Sequence, residues 1–146
     1  TFNWQTYASE SYGFSIKYPK DWQLKEIPSI AGLSLQLSSQ EMVEKKYTPI
    51  EVFVLTNQGV DAYFAQLLRT NHPKIKTESQ SSLGGLAAKQ VRVQPSSRSK
   101  PYLDTYIITH NGKDAFGLKC HDTIGDPCDY TVFEAMAGSF VFTLTP

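Results

Sequence analysis

The chain has 146 residues, and its 14 Lys and Arg balance 14 Asp and Glu, which leaves no sustained positive field for phosphates or an anionic membrane and argues against a nucleic-acid partner. Charged residues make up 19% and aromatic residues 12%, with no run of like charge, so the composition is globular rather than disordered. The length suits one domain, residues 1–146, and no apolar stretch approaches the roughly 20 residues that a spanning helix needs.

The chain begins at Thr1 rather than Met, as a processed or trimmed chain does, which leaves room for a removed signal peptide or lipid anchor and is no argument against export. In "YGFSIKYPKDW", residues 12–22, Phe14, Ile16 and Tyr18 alternate with Ser15 and Lys17, the pattern of a half-buried strand. Pro19 has no N–H for a ladder and ends it; Lys20 and Asp21 turn, and Trp22 opens a second extended segment, "WQLKEI". Leu33, Leu35 and Leu37 repeat the alternation, whereas "IEVFVLT" at 50–56 is continuously apolar enough for a strand covered on both faces. Between them "EMVEKKYTP" has no clear period and reads as an exposed loop or a short helical turn.

The period changes after Gly59. Tyr63, Phe64, Leu67 and Leu68 share one helical face, Asp61 stands near the N-cap, and His72-Pro73 ends the segment, which predicts an amphipathic helix over 60–73. Strands return from Thr77 to Asp122, with a Gly84-Gly85 turn in one hairpin and Asn111-Gly112, a strong hairpin signal, in the next. The connector "QPSSRSKP" at 94–101 is a flexible surface link. Phe133, Met136, Ala137 and Phe140 fall at helical spacing, with Asp129 as N-cap and Gly138 as the stop before a strand over 140–143. This order indicates an α+β domain with a mostly antiparallel sheet packed by helices.

Chemistry concentrates near the second cysteine. Cys120 and Cys128 enclose "HDTIGDP", a loop whose Gly, Pro and Asp turn sharply enough for a local disulfide; two free thiols or half of a metal site are the alternatives. Such a bond implies an oxidising compartment. His121 sits beside Asp122, with Asp126 and Asp129 following, so His121, Asp122 and Asp126 are the candidate metal ligands. Their spacing fits neither an EF-hand loop nor a helix-borne His pair, and the aspartates have structural uses as turn former and helix cap. His72 and His110 occupy positions where an exposed ring needs no special role.

Nucleophilic catalysis has little support: "AGSF" at 137–140 is only superficially a nucleophile elbow, and Ser139 reads as a helix end. Gly84-Gly85 lacks the Lys-Ser/Thr pair of a phosphate loop. Glu51, Asp104 and Glu134 have no spacing that pairs them for glycoside chemistry. Tyr102 and Tyr106 share a strand face with Asp104 between them, a stacking platform if exposed and core if covered, and core is the favoured outcome. No cofactor and no catalytic residue is expected.

The "YGFSIKYPKDW" opening, the central "SSLGGLAAKQVRV" and the closing "FEAMAGSFVF" together resemble the PsbP-like family, in order and over most of the chain. That family includes the extrinsic photosystem II subunit, bacterial exported relatives and, by shared fold, a Ran-binding nuclear import factor. The resemblance implies an α/β/α sandwich around a central antiparallel sheet with Trp22 as a core anchor. It implies a non-catalytic, exported or lipoprotein-type accessory domain, located in a bacterial envelope, periplasm or thylakoid lumen, whose partner is a protein or cell-envelope component. Membrane contact is then expected only through a removed N-terminal anchor. The alternative, from a different class, is a metal-dependent enzyme or metal-binding protein using the His121 to Asp129 loop; Ran binding is a third reading, with which a disulfide agrees poorly.

Overall fold

In the computed structural model the described residues are 3–29, 32–57, 62, 65, 74–94, 103–123 and 125–143. Ten strands and two helices are named among them: β1 (Gln5–Ser9), β2 (Phe14–Tyr18), β3 (Gln23–Ser29), β4 (Gly32–Ser38), α1 (Gln40–Glu44), β5 (Ile50–Leu55), β6 (Lys74–Leu83), β7 (Leu86–Gln94), β8 (Leu103–Asn111), β9 (Asp114–Asp122), α2 (Tyr130–Gly138) and β10 (Val141–Phe142). The helix expected over 60–73 lies outside the described residues except for Ala62 and Ala65, which are helical. The connector at 95–101 and Tyr102 also lie outside them.

The strands form two sheets where one was expected. A seven-stranded sheet runs β3-β4-β5-β9-β8-β7-β6, and a three-stranded one runs β1-β2-β10. Every named strand pairing is antiparallel. Pro19 is the cause of the division: it stops β2, its carbonyl accepts the Trp22 N–H at 3.0 Å, and the chain turns into β3 on the other sheet. Trp22 is half-buried and packs on the edge of the main core.

Phe14 and Ile16 are fully buried, as the alternation requires. The ring of Phe14 stacks on Phe140 with centroids 5.1 Å apart and planes parallel to 1°, and meets Phe116 of β9 edge-on at 5.9 Å. Phe142 of β10 completes the cluster, 4.9 Å from Phe116 and 5.2 Å from Phe140. These four rings join the small sheet, the end of α2 and the large sheet. Gly84 lets the β6–β7 hairpin approach them, since a Cβ there would lie 2.5 Å from the Phe142 ring.

Alternation along the central strands separates two apolar clusters. Val52, Val54, Ile107, Phe116 and Leu118 face α2 and the aromatic cluster, whereas Phe53, Val91, Val93, Tyr106, Ile108 and Ala115 form a second cluster on the opposite face. Tyr106, 2% exposed, is therefore core and no stacking platform.

Local chemistry explains the remaining differences. The aperiodic segment after β4 forms a turn of helix because Ser39 caps it: its hydroxyl accepts the Met42 N–H, and the Met42 sulfur accepts the Ser39 N–H. Asp129 caps α2 as expected, accepting the Val132 N–H at 3.2 Å. The stop is Ser139 rather than Gly138, which remains helical; the Ser139 hydroxyl donates to the Met136 carbonyl at 2.7 Å and accepts the Lys17 N–H at 2.9 Å. Ser139 is thus a cap and a tie to β2.

Replacing Phe14 by Ala is expected to lower the unfolding free energy by about 3–5 kcal/mol, since a fully enclosed aromatic side chain leaves a cavity between three elements. Val141→Ala, at a residue 51% exposed, is expected to change it by less than about 0.5 kcal/mol. Urea titration of both variants checks the contrast.

Candidate functional site

The β8–β9 hairpin sets the site's register. Gly112 has φ +68°, and Asn111 pairs with Asp114, so the two-residue turn is Gly112-Lys113, with left-handed backbone at its first central position as in a type II′ turn. Asn111 was expected inside the turn and is instead the last residue of β8. Counting from that pair, five residues along each strand place Tyr106 opposite Lys119 and seven place Asp104 opposite His121.

Beyond this pair the chain closes on itself. Cys120 and Cys128 are disulfide-bonded, with Cα atoms 5.8 Å apart. Cys120 is buried in the main core, so the bond ties the loop to the sheet interior. Thr123 and Asp126 exchange backbone hydrogen bonds of 3.0 and 3.1 Å across the loop.

The loop's side chains divide between the two faces of the sheet. Asp122 accepts the Cys128 N–H at 3.2 Å with one oxygen and the Tyr130 hydroxyl at 3.1 Å with the other, which holds the loop to the start of α2. The Arg92 guanidinium lies 5.6 Å from the centre of the Tyr130 ring. Burial pushes the Tyr130 hydroxyl above its ordinary pKa, and the nearby Asp122 carboxylate adds to the rise, which the Arg92 guanidinium opposes.

His121 takes the other face. Its Nδ1 is 2.7 Å from Asp104 Oδ1 and its Nε2 is 3.8 Å from Asp126 Oδ2. Asp126 Oδ1 accepts the Thr48 N–H at 2.8 Å, and its second oxygen accepts the Thr48 hydroxyl. Lys119 stands 3.9 Å from Asp104 Oδ2 and 5.6 Å from the centre of the Tyr106 ring. Glu51 of β5 pairs in register with Lys119. Burial pushes the Glu51 carboxyl above its ordinary value near 4.5, and Lys119 offsets part of the rise.

Of the three candidate ligands, the structure brings His121 and Asp126 together and turns Asp122 toward Tyr130. The two ring nitrogens of His121 face different carboxylates, so a single ion cannot engage the whole set. Among the described residues no group of three or more His, Cys, Asp or Glu is arranged to hold a metal ion. His110 is exposed at the end of β8, and His72 lies outside the described residues. Glu51 and Asp104 flank Lys119 across the β5-β9-β8 strands, whereas Glu134 is exposed on α2. Thr48, Lys119 and the Asp104 partnership were missed in the sequence, although the correct turn would have exposed the Asp104–His121 pair by counting.

Solved structures share this architecture. The solution structure of cyanobacterial PsbP from Synechocystis sp. PCC 6803 matches with a TM-score of 0.67 at 11% identity, over 96% of this chain and 92% of that one. LpqN of Mycobacterium tuberculosis, a protein involved in cell envelope biogenesis, matches with a TM-score of 0.55 at 16% identity, over 97% and 91% of the two chains. A Bacteroides thetaiotaomicron VPI-5482 protein matches with a TM-score of 0.60 at 17% identity over 96% of this chain, which spans only 48% of that protein. No protein-family model and no curated protein matches the sequence. The chain has a PsbP-like fold.

A raised carboxyl pKa means that the native state binds the proton more tightly than the unfolded state, so native stability from this group increases as pH falls through the folded pKa toward the unfolded one. Glu51→Gln is therefore expected to raise the urea midpoint at pH 7, with the gain disappearing by about pH 4. A lower midpoint for the variant at pH 7 would mean that attraction to Lys119 outweighs the cost of burial.

Proposed function

We propose that this chain is a non-catalytic binding or accessory domain that works outside the cytoplasm, exported or lipid-anchored, and that it contacts a protein or cell-envelope component through the surface around the Cys120–Cys128 loop. One observation carries the proposal. The loop is closed by a disulfide, a bond that persists in oxidising compartments, and its His121, Asp122 and Asp126 side chains are committed to positioning it. A rigid, partly charged loop is suited to recognition, because little conformational entropy remains to be lost on binding.

The fold supports the same reading, since it is shared with cyanobacterial PsbP and with a protein involved in cell envelope biogenesis. The proposal takes residues 1–146 as one PsbP-like domain with helices on both faces of the large sheet. In its support, α2 packs one face and a second apolar cluster is buried on the other. No helix among the described residues is long and apolar enough to cross a membrane. Ser139, the hydroxyl in the elbow-like segment, is spent on capping, and the Asp104–His121 pair presents its second nitrogen to a carboxylate.

Two measurements test this. Alkylation of the denatured, unreduced chain is expected to add no groups by intact mass, and two groups after reduction; Cys120→Ser/Cys128→Ser is expected to lose about 2–3 kcal/mol of stability. The same double variant is expected to bind a partner, recovered by cross-linking from cell-envelope extract, at least tenfold more weakly. Calorimetric titration with zinc, calcium and manganese is expected to give no stoichiometric heat; heat that His121→Ala abolishes would transfer the function to the metal-dependent alternative.

A further inference from the structure

The large sheet ends on two strands, β3 and β6, and their outer edges differ. An edge strand offers unpaired N–H and C=O groups to any extended chain, and native proteins usually blunt it with proline, charge, a bulge or brevity. β3 is blunted by Pro28, which is exposed and has no N–H, and by exposed Lys25 and Glu26. The outer strands of the small sheet are short, with five residues in β1 and two in β10. β6 has ten residues, and its one irregularity falls early, between Ile75 and Thr77. Over residues 77–83 it runs in unbroken register with β7, contains no proline and carries one charge, Glu78. Among the described residues no strand pairs with its other edge.

The hairpin fixes which groups face outward. Leu83 and Leu86 flank the two-residue Gly84-Gly85 turn and form the closing hydrogen-bonded pair. Hydrogen-bonded and non-hydrogen-bonded pairs alternate along an antiparallel ladder, so Ser81 and Ser79 direct their N–H and C=O groups to β7. Glu78, Gln80 and Ser82 therefore direct theirs outward, and all three residues are exposed. The charge of Glu78 is offset within the hairpin by Lys89 of β7, 3.5 Å away.

We propose that β6 is a self-association edge, on which a second copy of this chain pairs its own β6 antiparallel about a two-fold axis at Ser79. Residues 77–81 are self-complementary in this register. Glu78 stands opposite Gln80 of the second copy, where the amide donates to the carboxylate, and the pair exchanges both main-chain hydrogen bonds. Thr77 stands opposite Ser81, and Ser79 opposite its own counterpart, at positions where side chains approach most closely and hydroxyl pairs are favourable. Moving the axis one residue to Glu78 would set two carboxylates against each other. The formal net charge of zero adds no overall repulsion between copies. β7 and β8 stand between this edge and the strand that carries Cys120, so the pairing does not depend on what the disulfide loop contacts.

A single sheet edge buries less than the roughly 1,200–2,000 Å² of a standard interface, so the dimer is expected to be weak. Sedimentation equilibrium of the disulfide-bonded chain at low ionic strength tests it, over about 10 μM to 1 mM, the affinities that suit so small a contact. The wild type is expected to pass from monomer toward dimer across that range. Gln80→Pro removes an outward N–H and no bond to β7, and is expected to remain monomeric. Gln80→Glu sets like charges opposite each other twice in the dimer and is expected to weaken it roughly three- to tenfold, whereas Gln80→Lys is expected to tighten it by a similar factor. A wild type that stays monomeric throughout, a Gln80→Pro variant that dimerises as the wild type does, or two charge variants that shift in the same direction would each overturn the proposal. Should Gln80→Pro fail to fold, as judged by circular dichroism, the opposed charge variants decide the matter alone.

Discussion

The stacking of Phe14 on Phe140 is the contact on which the rest of the structure depends. Phe14 comes from the beginning of the chain and Phe140 from its end, and the two rings lie parallel with centroids 5.1 Å apart. Neither residue belongs to the large sheet, yet Phe116 of that sheet meets both rings edge-on. Aromatic pairs contribute about 0.5–1.5 kcal/mol beyond the area they bury, so the cluster favours this geometry over other compact arrangements. Its consequence is topological: β2 can pair with β10 only after α2 has brought Phe140 back to Phe14.

A second constraint operates at the opposite end of β9, where packing gives way to polar contacts. Cys120 is anchored in the core, and its disulfide holds Cys128 close to the start of α2. Asp122 and Asp126 then serve the loop in opposite directions, one toward Tyr130 and the other toward Thr48. Consecutive residues on a strand point to opposite faces, so His121 and Asp122 are separated by the sheet although they are neighbours in sequence. The metal set His121, Asp122 and Asp126 treated the loop as one cluster, and the pleat divides it.

Turn chemistry had the largest effect on how far the site was legible. Centring the turn on Asn111-Gly112 would pair His110 with Lys113 and place Lys119, not His121, opposite Asp104. The observed turn uses Gly112-Lys113, because a type II′ turn needs a left-handed backbone only at its first central residue, which leaves Asn111 extended in β8. A displacement of one residue in a two-residue turn thus exchanges one ion pair for another. The Gly84-Gly85 hairpin was read correctly, since both glycines have positive φ and Leu83 pairs with Leu86.

Sequence by itself determined the strand alternation through Phe14, Ile16 and Leu33 to Leu37, the Asp129 cap and the nearness of the two cysteines, because each depends on residues within a few positions of one another. Periodicity and turn propensity are local properties, and they survive without knowledge of the partner strand. Only the tertiary structure decided that there are two sheets, that Tyr106 is core, and that His121 stands between Asp104 and Asp126 with Thr48 beyond. Those outcomes rest on contacts between segments far apart in the chain, the most distant being β2 with β10, and on which face of a pleated strand each side chain occupies. Register and face are properties of a pair of strands, and a single strand's sequence does not contain them.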